Sequence, residues 1–93
     1  MIRSFRGKWA VAVFHGRLPR GFPQELLPAA RRKLRYLDAA SHLADLMTPP
    51  GNRLETLSGD RKNQHSIRIN DQWRVCFRWH DDGAEEVEIV DYH

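Results

Sequence analysis

Three scarcities narrow what this chain can be. Its single cysteine, Cys76, leaves no internal disulfide and no cysteine-rich zinc site, a composition suited to a reducing, cytoplasmic setting. Long apolar runs are missing: none approaches the roughly 20 residues of a membrane span, and the opening MIRSFRGKW does not read as a secretion signal. A soluble protein with no membrane partner is expected. Acids are rare in the first third, where nine lysines and arginines up to Arg35 face only Glu25, whereas beyond Arg35 six face eleven acids. A basic segment joined to an acidic one suits a protein that meets a phosphate backbone with one surface and keeps another out of contact. On charge alone, a solvated basic helix face explains the split equally well.

Several chemical motifs are missing as well. The chain has no glycine-rich phosphate loop and no nucleophile elbow, and His15, His42 and His80 stand at no metal-ligand spacing to one another or to acids. No metal and no cofactor are expected, so any hydrolysis would have to proceed without metal.

What is present is a folded globule. The chain is 93 residues long with 41% hydrophobic residues and three tryptophans, enough for one core and one domain. Its clearest signal lies in Ser58 to Trp79, where the runs Ser66 to Asn70 and Trp73 to Trp79 alternate apolar and polar residues around a short connection. That is the pattern of a half-buried hairpin. Residues opposite each other in an antiparallel pair share a face, so loop length can be deduced from parity. A two-residue loop would set Ile67 against an arginine or Cys76. The three-residue loop Asn70-Asp71-Gln72 sets Ile69 opposite Trp73, Ile67 opposite Val75 and Arg68 opposite Arg74. The first face is apolar. The second carries Ser66, Arg68, Arg74, Arg78 and Tyr92 and is expected to be open, with an anion between Arg68 and Arg74.

The remainder reads as follows. Met1 to Phe5 is a short first strand, and Gly7 to His15 a short helix ended by Gly16. Arg17 to Pro23 is a loop. From Gln24 or Pro28 to about Ala40, the repeat Leu27, Ala30, Leu34, Leu37 predicts a helix whose opposite face holds Arg31, Arg32 and Arg35. A helical continuation, Ser41 to Met47, is capped by Ser41. After Pro49-Pro50-Gly51 comes a short strand within Arg53 to Leu57. Val87 to Tyr92 supplies the last strand, placed so that Trp79 faces Val87, Phe77 faces Ile89, Arg78 faces Glu88 and Arg74 faces Tyr92. The fold class is α+β, with an N-terminal strand and helices packed on one face of a small antiparallel sheet.

Arg68 and Arg74 are the leading candidates for chemistry, since two guanidiniums on one face can hold a phosphate and neutralise the extra charge of its transition state. Pairing of each with a nearby acid, such as Glu88 or Asp91, is the alternative. Asp91-Tyr92-His93 comes next: His93 can exchange protons near neutral pH, and Tyr92 can stack on a base. Arg61, Lys62 and His65, at the start of the hairpin, can reach a nucleic-acid backbone, although His65 shares the core parity of Ile67 and reads better as a partly buried histidine.

These residues carry a resemblance. The run from Pro49 to Trp79, PPGNRLETLSGDRKNQHSIRINDQWRVCFRW, with the closing VEIVDYH, resembles the HigB branch of the RelE toxin superfamily and especially its GraT-like members. The opening MIRSF and the segment Leu34 to Ala40 also fit, so the likeness covers nearly the whole chain. It implies a RelE-like fold and a toxin of a type II toxin-antitoxin system, a ribosome-dependent endoribonuclease in which the 2′-hydroxyl of messenger RNA attacks the adjacent phosphate without metal. It assigns Arg68 and Arg74 to the phosphate and Asp91, Tyr92 and His93 to the terminal catalytic motif. It further implies a HigA-like helix-turn-helix antitoxin as partner, with DNA met only through that antitoxin. Arg31, Arg32 and Arg35 would meet ribosomal RNA or the antitoxin. Some HigB toxins carry a histidine and a lysine where this chain has Glu55 and Ser58, which implies weaker cleavage, compensated in part by Arg53, Arg61 or Lys62. A non-catalytic RNA-binding growth inhibitor that disturbs ribosome assembly is the second reading, and an adaptor using the same face only as a protein interface the third.

Overall fold

The computed structural model describes residues 1–92. It contains helices α1 (Trp9–Phe14) and α2 (Leu27–Ala39), then strands β1 (Glu55–Thr56), β2 (His65–Arg68), β3 (Trp73–His80) and β4 (Gly83–Asp91). The strands form one antiparallel sheet in the order β1-β2-β3-β4. Met1 to Phe5 lies parallel to β4 through bridges from Ile2 to Ala84 and from Phe5 to Val87, so the expected first strand is present as an extended, intermittently paired segment.

The helices form where the apolar spacing demands them. In α2, Ala30, Leu34 and Leu37 are wholly buried, and Pro28 stands in the first turn, where its missing N–H is not needed. Two residues past α1 stands Gly16, whose φ of +81° favours glycine, and a Cβ there would approach the Arg31 guanidinium carbon to 3.3 Å. Ser41 does not cap the next segment. The Asp45 carboxylate instead accepts from the backbone N–H groups of Ser41 (2.9 Å) and His42 (3.0 Å), and Leu43–Met47 forms a 3₁₀ helix. A carboxylate three residues into the turn can reach back to those amides, which a serine at position 41 cannot do for itself.

Both helices cover one sheet face. Val13, Leu34, Leu37, Ile67, Val75, Phe77 and Val87 are completely buried. At one end Trp9, Phe22 and Trp73 meet with ring centroids 5.1 to 6.0 Å apart.

The first hairpin has the register that parity requires, with Ile67 opposite Val75 and Arg68 opposite Arg74. Its loop is closed by the Asn70 side chain, whose Oδ1 accepts from the N–H groups of Gln72 (2.9 Å) and Trp73 (2.8 Å). The last strand sits differently from expectation. Val75 faces Ile89 and Cys76 faces Glu88, whereas nearer the turn Arg78 faces Glu85 and Trp79 faces Ala84. Arg74 faces Val90 instead of Tyr92. The cause is a two-residue turn, Asp81-Asp82, between β3 and β4. Such a turn pairs odd positions with even ones, and a bulge between Cys76 and Arg78 restores the apolar match. Glu86 takes the extra place with φ +52°, so Ala84 and Val87 both point into the core despite unequal parity.

Candidate functional site

The second sheet face is not the open surface that alternation suggests. Ser66 and Cys76 on that face are fully buried, and Arg74 is only 8% exposed. The chain between Pro50 and Gln64 folds back over it, contributing a backbone carbonyl at Arg53 and a side chain at Arg61. Alternation identifies a face but does not reveal what the preceding loop does with it.

Arg74 is therefore held by its own chain. Its Nε donates to Ser66 Oγ at 2.7 Å, and its Nη2 donates to the Arg53 carbonyl at 2.6 Å and the Ser66 carbonyl at 3.5 Å. Arg53 can offer that carbonyl because it adopts a left-handed conformation, φ 45°, as the chain leaves the 3₁₀ turn Pro50–Asn52. Nη1 is turned toward the half-exposed Glu55, whose Oε1 lies 3.6 Å away. The Tyr92 ring covers the group with its centroid 5.8 Å from the guanidinium carbon, in cation–π range. Tyr92 reaches that place because its N–H donates to the Gln72 carbonyl at 2.6 Å, extending the sheet past β4.

Arg68, opposite Arg74, has a separate partner in the exposed Asp71. The expected anion between the two arginines is thus replaced by one acid for each. The Arg68 guanidinium, with a smaller contribution from Arg53, holds the Asp71 carboxyl below its usual range. On the other side Arg61 donates to Glu88 Oε1 at 2.6 Å and Gln64 Oε1 at 3.1 Å. The hydrogen bond to Glu88 raises Arg61, and the nearby Tyr92 adds to the effect. Glu88 therefore serves Arg61, while Arg78 pairs with Glu86 at 2.7 Å.

Arg53, Arg61, Arg68, Arg74, Asp91 and Tyr92 thus gather around one end of the sheet. Asp91 lies opposite Trp73 and accepts from Gln72 Nε2 at 3.1 Å. Lys62 is exposed beside Arg61. His93 lies outside the described residues. His65 behaves as a partly buried histidine, with Nδ1 3.1 Å from Thr56 Oγ1 and burial lowering its pKa. Arg31, Arg32 and Arg35 are not brought to this place. They line a separate cleft of about 290 Å³ with Pro28, on the helical side of the sheet.

Sequence reasoning missed two features. Glu55, by sequence a departure from the family pattern, is the acid facing Arg74. Lys33 went unnoticed in α2, yet it is 7% exposed and donates to the buried Asn52 at 2.6 Å. A lysine standing three residues from Ala30 and four from Leu37, in the apolar stripe, was the available signal. Burial, then Arg32 and Arg68, lower its pKa.

Chemically, the arrangement offers a guanidinium fixed by three hydrogen bonds from Nε and Nη2, with its Nη1 edge toward a half-exposed acid, an aromatic ring above it and further arginines at the rim. Such an edge suits a phosphate oxygen.

Known proteins bear on this geometry. Residues 3–93 match the family model of the HigB-like toxin, described as the RelE-like toxin of the type II toxin-antitoxin system HigB. The chain is 42% identical over 82 residues to Toxin HigB-1 of Vibrio cholerae serotype O1, covering 87% of this chain and 86% of that protein. It is 28% identical over 93 residues to Endoribonuclease HigB of Proteus vulgaris, covering 100% of both. Its fold is similar to a chain of the YoeB-YefM complex from Staphylococcus aureus, with a TM-score of 0.61, 14% identity and coverage of 100% of this chain and 98% of that one.

Proposed function

Because the chain belongs to the HigB-like family of RelE-like toxins of type II toxin-antitoxin systems, we propose that it is an endoribonuclease that cuts messenger RNA on the ribosome and so arrests translation and growth. One relative's name, Endoribonuclease HigB, supports the activity. The observation that carries the reading is the fixed Arg74 guanidinium, with its Nη1 edge toward the half-exposed Glu55 and Tyr92 above it. The substrate's 2′-hydroxyl attacks the adjacent phosphorus, the bond to the 5′-oxygen breaks, and a cyclic phosphate remains. This route uses an internal nucleophile and needs no metal-activated water.

Arg74 and Arg68 hold the phosphate and take up its added charge. Tyr92 stacks on a base or reaches a phosphate, Asp91 fixes the end of the strand through Gln72, and His93 handles protons. Arg53, Arg61 and Lys62 meet the RNA backbone at the rim. Arg31, Arg32 and Arg35 form a second polyanion contact on α2. A HigA-like helix-turn-helix antitoxin holds the toxin inactive in the cytoplasm, and the toxin-antitoxin family supports a partner of that general kind.

Primer extension on messenger RNA with purified protein and ribosomes tests this. Discrete cuts on ribosome-bound messages are expected. Intact messages at protein levels that still arrest growth would favour the second reading, a non-catalytic inhibitor of ribosome assembly or function. The Glu55 carboxylate beside Arg74 is the observation that favours that reading.

A further inference from the structure

Arg74 has five N–H donors, and the protein uses them unequally. Nε and Nη2 are committed to Ser66 and to the Arg53 carbonyl at distances of 2.6 to 3.5 Å. Among the described residues, Nη1 meets only the Glu55 carboxylate, at 3.6 Å. That separation is longer than a hydrogen bond, and the Glu55 side chain is 54% exposed against 10% for Arg74. No other described cation pairs with Glu55 in the structure. Its position is nonetheless fixed by the backbone, because Glu55 belongs to the two-residue β1 and lies opposite Ser66, the residue that orients Arg74.

A phosphate oxygen approaching the Nη1 edge of Arg74 must come to the side where this carboxylate stands. Two anions on one guanidinium edge repel, and the side chain that is half in water is the one able to move. We infer that Glu55 is an internal competitor for the phosphate at Arg74: a specificity-determining residue that keeps the edge occupied until an RNA held by further contacts displaces it. The inference rests on the proposed function and deepens it. An isolated phosphate, with one contact, is excluded. An RNA strand also gripped by Arg53 and Arg61 and stacked on Tyr92 overcomes the repulsion. Glu55 is neither a proton carrier nor a phosphate ligand in this account, and its effect falls on binding.

The test uses the full chain and a short oligoribonucleotide methylated at every 2′-oxygen, which cannot be cleaved. Glu55→Gln keeps the size of the side chain on an exposed strand and removes its charge. Asp82→Asn removes one charge at the opposite end of β3, where Asp82 pairs with Arg3. Glu55→Gln is expected to bind about three- to tenfold more tightly than the wild type, the size expected for one charge at this separation in a partly solvated site. Asp82→Asn should change affinity by less than about twofold. Affinity that falls in Arg74→Lys but is unchanged in Glu55→Gln overturns the inference and leaves the proposed function standing. Unchanged binding with lost cleavage of an unmethylated message in Glu55→Gln also overturns it, and assigns the carboxylate to proton transfer. Affinity indifferent to Arg74→Lys, Arg68→Ala and Glu55→Gln alike refutes the proposed RNA site itself.

Discussion

Glu86 offers a direct test of how the last strand is phased. It is the extra residue of the bulge and has φ +52°. A residue with a Cβ loses roughly 1–2 kcal/mol in that conformation, while glycine's greater freedom in the unfolded chain offsets about 0.4–1 kcal/mol. Glycine should therefore be more stable than alanine at position 86 by about 0.5–1 kcal/mol. Glu86 also pairs with Arg78 at 2.7 Å, but glycine and alanine both lack the carboxylate, so that ion pair is absent from both variants and drops out of the comparison. Urea unfolding followed by circular dichroism reads the difference, and in a domain of this size it corresponds to a rise in Tm of about 2–8 °C. Equal stability, or an advantage for alanine, would mean that position 86 is not left-handed and that β4 runs in a different register. Tyr92 would then no longer lie above Arg74, and the geometry of the proposed site would fall with it.

Three further outcomes are expected. Arg68→Ala should relieve growth arrest and lower cleavage by about 10²-fold in primer extension while its melting curve superimposes on the wild type, because among the described residues its ion pair is to the fully exposed Asp71; normal toxicity in the folded variant would move the site elsewhere. Lys33 has a pKa below its ordinary 10.5 because of burial, Arg32 and Arg68; the unfolded chain then binds more protons, so this group makes stability rise with pH from its lowered value up to 10.5, and Lys33→Met should flatten that rise in urea melts taken across the alkaline range, an unchanged slope refuting the assignment. Cys76 is wholly buried, and burial pushes its thiol pKa up, so a thiol reagent should label it only after denaturation; rapid labelling of the native protein would contradict that burial.

Residues whose partners are near in sequence, or on a neighbouring strand of known loop length, were legible beforehand. Ile67, Val75, Arg68 and Arg74 took their places by parity, and the helix of Ala30, Leu34 and Leu37 by its repeat. The last strand was misplaced because Asp81-Asp82 leaves the pairing one residue out of phase and the bulge at Glu86 corrects it. A bulge has no side-chain signature when its left-handed residue is a glutamate. The covering of Arg74 was illegible for another reason. Its closest acceptors include the carbonyls of Arg53 and Ser66, and a carbonyl is present at every residue, so nothing in the residue types marks those two. Arg68 and Arg74 were correctly placed together, but their acids, Asp71 and Glu55, were not foreseen.

The aromatic cluster at the end of the sheet has an optical consequence. Trp9 and Trp73 stand with ring centroids 5.7 Å apart and planes inclined at 42°, one carried by a helix and the other opening the strand that holds Arg74. Two indoles so close and so inclined share their excitation, and such coupling gives paired circular-dichroism bands of opposite sign. Trp9 also donates through Nε1 to the Arg20 carbonyl at 3.3 Å, which ties the loop before α2 into the same cluster. The protein therefore contains its own chromophore pair at the seam between its helical layer and its sheet. A change in those bands on adding RNA or antitoxin would report relative movement of the two layers without any attached label.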